Sequence, residues 1–392
     1  MLLMKKDDIV ADITIAYGNI ISVNKVFRSD LLPVGVEAEN INEWWKNNAI
    51  PAERDSIRLG LECIGVKSQE ELKTIGRGLS LLNQYWIKEA EEGITWSEIN
   101  YWDNQFSEEI GIALFNHKPV HSPLNKIGYS PDNGINGVLK KKWIILNGEY
   151  YLQKGGTGLN KEEVFNEILA SDLMNKANIS NADYSLYIDD GEVSCISKCF
   201  TDENTELIPL VQIIESVPRK AYPAPSEYEH LCDVLEFYRV PDYKSYLNHV
   251  LCIDYILAGT DRHYNNLALL FDTRSQTFTF SPVYDSGNCL WNGTRTQSID
   301  VLDDGILARP ICNKNTFGTW EKQKTYITEY IPLKYKDLMQ GLKTYAEMAL
   351  KYSELSRERI DLIVNGVIRR AHSLQKYLLS QNVDIEESYL IP

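Results

Sequence analysis

Between residues 259 and 287 the chain reads GTDRHYNNLALLFDTRSQTFTFSPVYDSG, and three of its side chains have the types and the order that phosphoryl transfer requires. Asp261 and Asn266 stand five positions apart on a polar stretch, and Asp285 follows in Asp285-Ser286-Gly287. Moving a phosphoryl group takes a carboxylate to orient or accept the proton of the attacking hydroxyl. It also takes hard oxygen donors, a second carboxylate and an amide, to hold Mg2+ against the phosphates. Singly, each of these residues is an ordinary cap or turn residue. The ordered triple is what points to chemistry.

Several elements must position that triple. YKSYLNHVLCIDYILAG (243–259) is apolar nearly all round, the pattern of a helix buried as a spine. LALLF (267–271) and TFTF (277–280) flank the polar turn DTRSQ (272–276) and predict a hairpin that carries the chain on to Asp285. SEYEHLCDVLEFYRV (226–240) and the tail from about 333 to 380 read as helices. Further upstream, Asn147-Gly148 in WIILNGEYYL and Asp190-Gly191 in DYSLYIDDGEVSCISKCF each predict a tight hairpin. Between them lies KEEVFNEILASDLMNKANI (161–179), where Val164, Ile168, Leu169, Leu173 and Met174 recur at helical spacing. The turn SPDNGING (130–137) offers Ser130, Gly134, Asn136 and Gly137 as a cradle of backbone N–H groups for phosphate. Lys154 ends the first hairpin and Glu167 lies in the helix that follows, with Glu162 and Glu163 as its rivals. A strand Lys fixed by a helix Glu is the arrangement that protein kinases use, and they space the loop Asp and the metal-binding Asn by the same five positions.

Composition bounds the rest. In 392 residues, 55 Asp and Glu against 40 Lys and Arg give a net charge of −15, which does not suit a surface that tracks along nucleic-acid phosphates. No apolar run has the length of a membrane span, so the expectation is a cytoplasmic protein with no membrane partner. Seven scattered cysteines, Cys312 among them, read as reduced core residues rather than a disulfide framework. His117 and His121 have the spacing of a zinc helix, but Pro119 between them breaks it and no metal is expected there. Residues 1–122 carry helical patterns over 68–92 and 96–115 and an extended stretch near 11–23. They read as a mainly helical accessory domain that ends within HKPVHSPLNK (117–126).

The order of glycine-rich turn, KGG lysine, NEI helix, CISKCF strand, ILAGTDRHYNN and FSPVYDSG resembles the HipA-like serine/threonine kinases, relatives of the phosphatidylinositol kinase fold. The likeness covers roughly 127–300. It implies an α+β, bilobed protein-kinase-like fold: a small mixed β lobe (123–202) and a large, mainly helical lobe (203–392) behind the accessory domain. In that family the loop reads Asp-x-His-x-x-Asn, and the metal aspartate follows in a Pro-x-Tyr-Asp context, as in Pro282-Val283-Tyr284-Asp285. Carried over, Asp261 is the catalytic base, His263 braces the loop, Asn266 and Asp285 hold magnesium, Lys154 contacts phosphate, and the backbone at Cys199 and Phe200 holds adenine. The resemblance implies ATP and Mg2+ as cofactors, a Ser or Thr hydroxyl of a protein as acceptor, and an antitoxin-like partner. It also singles out Ser130, because a serine of the glycine-rich loop is phosphorylated in some members. Here Asn136 and Gly137 stand where Gln and Lys commonly follow the family's glycine. A lipid or small-molecule kinase of the same fold and a catalytically dead nucleotide-binding module are the alternatives.

Overall fold

A computed structural model describes residues 1–221, 225–305, 307–308 and 318–392; Cys312 lies outside them. The chain divides into two compact units. The first comprises Met1–Lys154, Thr201–Ile208 and Leu270–Thr277, and the second Gly155–Phe200, Pro209–Leu269 and Phe278–Pro392.

The first unit opens with an antiparallel sheet. Strands β1 (Leu2–Lys5), β2 (Asp8–Ala16), β3 (Asn19–Val26) and β4 (Tyr85–Lys88) pair in the order β3-β2-β1-β4. Leu3, Val10, Ala11, Ile13, Ile20, Tyr85 and Ile87 pack with Ile41, Trp44 and Trp45 of helix α1 (Ile41–Asn47). Helices α2 (Ile57–Ile64), α3 (Gln69–Ile75), α4 (Trp96–Ile99), α5 (Glu109–Asn116) and α6 (Leu124–Ile127) follow. A second core of Ile57, Leu61, Ile64, Leu72, Ile110, Ala113 and Leu114 joins α2, α3 and α5.

This region is richer in strand than its sequence pattern suggests. The helical reading of 68–92 holds only for α3, because Arg77 and Gly78 take φ of 56° and 69° and stop it. Tyr85, Trp86 and Ile87 are all buried, and a bulky trio buried on both faces suits a strand better than a helix. The reading of 96–115 breaks at Asn100, whose Oδ1 accepts the N–H groups of Trp102 and Asp103, both at 2.8 Å, in a side-chain turn that competes with the helix. The unit ends in the expected hairpin of β5 (Lys141–Leu146) and β6 (Glu149–Lys154). Asn147 and Gly148 turn it with φ of 53° and 80°.

In the second unit, helix α7 (Glu162–Lys176) precedes the hairpin of β7 (Ser185–Asp189) and β8 (Glu192–Lys198), turned by Asp190 and Gly191 at φ 51° and 78°. Strand β9 (Thr205–Pro209), all but its last residue in the first unit, comes next in the chain, before helix α8 (Leu210–Ile213). Next come α9 (Glu227–Phe237), closed at its start by a Ser226/Glu229 capping box, and α10 (Tyr243–Ile256). Leu247, Val250, Leu251, Cys252, Ile253, Tyr255 and Ile256 of α10 are almost wholly inaccessible, as expected of a spine. Strands β10 (Ala268–Asp272) and β11 (Thr277–Phe280) are divided between the units at Leu270 and Phe278, and α11 (Trp320–Gln323), α12 (Tyr335–Tyr352) and α13 (Arg357–Ser380) complete the second. Gly341 of α12 lets that helix lie close to α7, since a Cβ there would stand 2.7 Å from Asp172 Oδ2 and 2.8 Å from Leu173 Cδ2 and would push those side chains aside.

Candidate functional site

The loop after α10 is tied into one shape by its own side chains. Gly259 N–H bonds Asp254 O at 2.7 Å, which closes the helix, and the loop follows at once. Asn266 Nδ2 donates to Asp261 O at 2.7 Å, and the backbone N–H of Asn266 to His263 O at 2.8 Å, so residues 261–266 form a closed turn. His263 sits inside it: Nδ1 accepts the Asn265 N–H at 3.2 Å, and Nε2 stands 3.5 Å from Asp261 Oδ1.

Arg262 joins this loop to the Asp285 turn. Its guanidinium, 4% exposed, forks onto Asp254 at 2.8 and 3.0 Å. The same group donates to Asn266 O at 3.2 Å, to Tyr284 O at 2.6 Å and to Ser286 Oγ at 2.7 Å. The loop that carries Asp261 and Asn266 and the turn that carries Asp285 are thus both bonded to one buried cation. Asp285 itself has φ 59°, a strained value for a residue with a side chain, of the kind that clusters where geometry serves function.

The third support comes from α7. Glu167, 2% exposed, accepts the Ser286 N–H on Oε2 at 2.8 Å. The preceding residue, Asn166, donates from Nδ2 to Gly287 O at 2.9 Å and to Cys289 O at 3.0 Å. Gly287 lies so close to α7 that a Cβ would stand 2.9 Å from Glu163 O. The rival acids are committed elsewhere: Glu162 binds Arg359 at 2.8 Å, and Glu163 takes the Thr157 N–H at 3.0 Å. Phe200, beside Cys199, stacks on Tyr284 with ring centroids 6.1 Å apart.

The donor chemistry suits a hard divalent cation. The Asn266 amide spends its N–H on Asp261 O, which leaves its oxygen available to a cation, and Asp285 could add a carboxylate. Magnesium characteristically takes one or two such protein oxygens and completes its shell with waters and phosphates.

The first unit holds the remaining candidates. Ser130 is fully buried; its Oγ accepts the Asp132 N–H at 3.3 Å and caps a short 3-10 turn, Pro131–Gly134. A Cβ at Gly134 would lie 3.1 Å from Asn48 O, whereas Gly137 alone of the two takes a positive φ, 106°. Asn136 Oδ1 caps the Gly137 N–H at 2.6 Å, and its Nδ2 bonds Asn47 O at 3.0 Å. Lys154, 2% exposed, pairs in register with Lys141 across the hairpin.

Sequence reasoning singled out Asp261, Asn266 and Asp285 and passed over Asp254, Arg262 and Ser286, which hold them. One signal was there: an acid within the otherwise apolar run LCIDYILAG needs a buried cation.

No family model matches the chain, and no curated protein matches its sequence. Solved structures do. The kinase CtkA of Helicobacter pylori, described as proinflammatory, aligns at 15% identity with a TM-score of 0.46, over 62% of this chain and 95% of its own. HipA of Shewanella oneidensis MR-1, solved as a toxin–antitoxin complex with HipB and operator DNA, aligns at 12% identity with a TM-score of 0.56, over 98% of this chain and all of its own. Over nearly its whole length the chain therefore has the HipA-like kinase fold.

Proposed function

We propose that the chain is an ATP- and Mg2+-dependent kinase that transfers the γ-phosphoryl group to a Ser or Thr hydroxyl of a protein. The observation that carries this reading is the Arg262 clamp, which bonds both the 261–266 loop and the Asp285 turn. In this reading the loop and the turn so joined supply one carboxylate for the hydroxyl proton and two oxygen donors for a cation.

In this reading Asp261 orients the acceptor hydroxyl and takes its proton, and His263 holds Asp261 in place from 3.5 Å. Asn266 and Asp285 hold magnesium, which when bound neutralises charge on the phosphates. Lys154 and the 130–137 turn contact phosphate, and the backbone at Cys199 and Phe200 holds the adenine. We take the acceptor to be a protein rather than a lipid headgroup, since the sequence has no basic amphipathic segment to hold it on an anionic membrane. Because the HipA of similar fold was solved with HipB, an antitoxin-like protein is the proposed partner, and nucleic acid would be reached only through it.

Labelled ATP with Mg2+ and a cell extract tests the reading. Asp261→Ala is expected to lose about 10² to 10⁴ in transfer rate while ATP binding survives. Transfer that persists unchanged in both Asp261→Ala and Asp285→Ala, or label that moves only to lipid, would overturn it.

A further inference from the structure

Arg54 lies between α1 and α2, outside every motif of the sequence, and is 3% exposed. Its Nε donates to Gly137 O at 3.0 Å and its Nη2 to Ile135 O. The adjacent Asp55 N–H donates to Val138 O at 3.2 Å, and Asn47 O accepts from Asn136 Nδ2 at 3.0 Å. Residues 47–55 therefore hold the 135–138 turn by three of its carbonyls and one of its side chains.

A planar trans peptide points its C=O and the next N–H in opposite directions. With the carbonyls of 135, 137 and 138 drawn towards residues 54 and 55, the N–H groups of Asn136, Val138 and Leu139 are turned away from them. The Gly137 N–H is taken by Asn136 Oδ1. What remains is three N–H groups on the side of the turn away from residues 54 and 55, donors of the kind that a backbone anion site uses. A fork is needed to reach two carbonyls two residues apart, and a lysine ammonium lacks that geometry.

The side chain is a poor investment for stability alone. Burial pushes the Arg54 guanidinium pKa down to about 10, with Asp132 as the one charge that opposes the shift. Nη1 finds no hydrogen-bond partner among the described residues. A buried cation held mainly by carbonyl oxygens roughly breaks even at best.

We propose that Arg54 is a positioning residue for nucleotide phosphate: it sets the conformation of the 135–138 turn in which the backbone N–H groups receive the ATP phosphates. The inference rests on the kinase reading of that turn and assigns to the N-terminal region a part in binding ATP.

The test is ATP binding and steady-state transfer by the full-length protein with Arg54→Met, Arg54→Lys and Arg54→Gly. The expected result is a rise of about tenfold or more in Kd and KM for ATP in all three, equivalent to about 1.4 kcal/mol. The turnover number of Arg54→Met should change far less than its KM, and its melting curve should stay close to that of the wild type. Millimolar guanidinium should restore ATP affinity to Arg54→Gly with little change in its melting temperature, whereas under a merely structural role the two would recover together. Should Arg54→Met fail to fold, Arg54→Lys carries the comparison. Wild-type ATP affinity in Arg54→Met or Arg54→Lys overturns this inference alone, as does a loss that only parallels unfolding and ignores guanidinium. A wild-type protein that binds no ATP overturns the kinase reading as well.

Discussion

Arg262 and Asp254 meet inside the second unit through two hydrogen bonds, Nε to Oδ2 at 2.8 Å and Nη2 to Oδ1 at 3.0 Å. Burial works against the guanidinium charge, yet the Asp254 carboxylate outweighs it and raises the Arg262 pKa. The pair links the buried spine helix α10 to the loop that carries Asp261. The loop is thus anchored to a buried helix rather than to solvent-exposed chain.

Removing one partner leaves the other charge buried alone, which costs about 3–5 kcal/mol. Arg262→Met is therefore expected to lower the urea midpoint strongly. The double variant Arg262→Met with Asp254→Leu should recover much of that loss, because an apolar pair of similar volume needs no compensation. Transfer activity should stay absent in both, since neither can bond Tyr284 O and Ser286 Oγ. Equal midpoints for Arg262→Met and wild type would show that the pair does not hold the loop.

Glu167 supports the Asp285 turn through one bond to the buried Ser286 N–H. Glu167→Ala leaves that donor unpaired, at a cost of about 1–3 kcal/mol, and frees Asp285 from its positive φ. The expected outcome is a higher Mg2+ concentration for half-maximal transfer. Glu167→Gln keeps an oxygen for Ser286 and should need less extra magnesium than Glu167→Ala. Identical Mg2+ titrations for the two variants would contradict this.

Much of this was legible in the chain. The hairpins at Asn147-Gly148 and Asp190-Gly191, the α7 periodicity and the apolar α10 all rest on local rules, and each formed where those rules put it. Strand β4 was not legible, because Tyr85–Lys88 becomes a strand only through β1, some 80 residues earlier in the chain. Arg54 was silent for the same reason: its partners are carbonyls at 135 and 137, which have no side-chain signature. Asp261, Asn266 and Asp285 stood out because chemistry restricts residue type, whereas the groups that brace them answer only to geometry.

Asp132 gives the first unit a pH dependence. Burial raises its pKa to about 7, despite the Trp143 N–H at 2.8 Å, the Ser130 hydroxyl at 3.2 Å and the charges of Lys142 and Arg54, all of which act the other way. An unfolded Asp titrates near about 4. Between those values the folded chain keeps a proton that the unfolded chain releases, so this group's contribution to stability falls as pH rises towards 7 and then levels off. Asp132→Asn retains an oxygen for Trp143 and carries no charge. Its urea midpoint relative to wild type should therefore be higher at pH 8 than at pH 5, and a difference independent of pH would refute the assignment.

Two glycines with positive φ separate function from folding. Gly148, at φ 80° in the hairpin turn, has nothing within 4 Å of an added Cβ. Gly148→Ala should cost on the order of 1 kcal/mol of stability through backbone strain and leave ATP affinity unchanged. Gly137, at φ 106°, lies further from any region that suits a side chain, and a Cβ there would meet Lys141 Nζ at 2.2 Å. The lysine tip can move aside, but the backbone must leave φ 106° to relieve the strain, and the carbonyl that Arg54 holds turns with it. Gly137→Ala is therefore expected to weaken ATP binding and to lower the melting temperature by more than Gly148→Ala does. Equal ATP affinities in the two alanine variants, measured by titration, would place the phosphates elsewhere than on this turn.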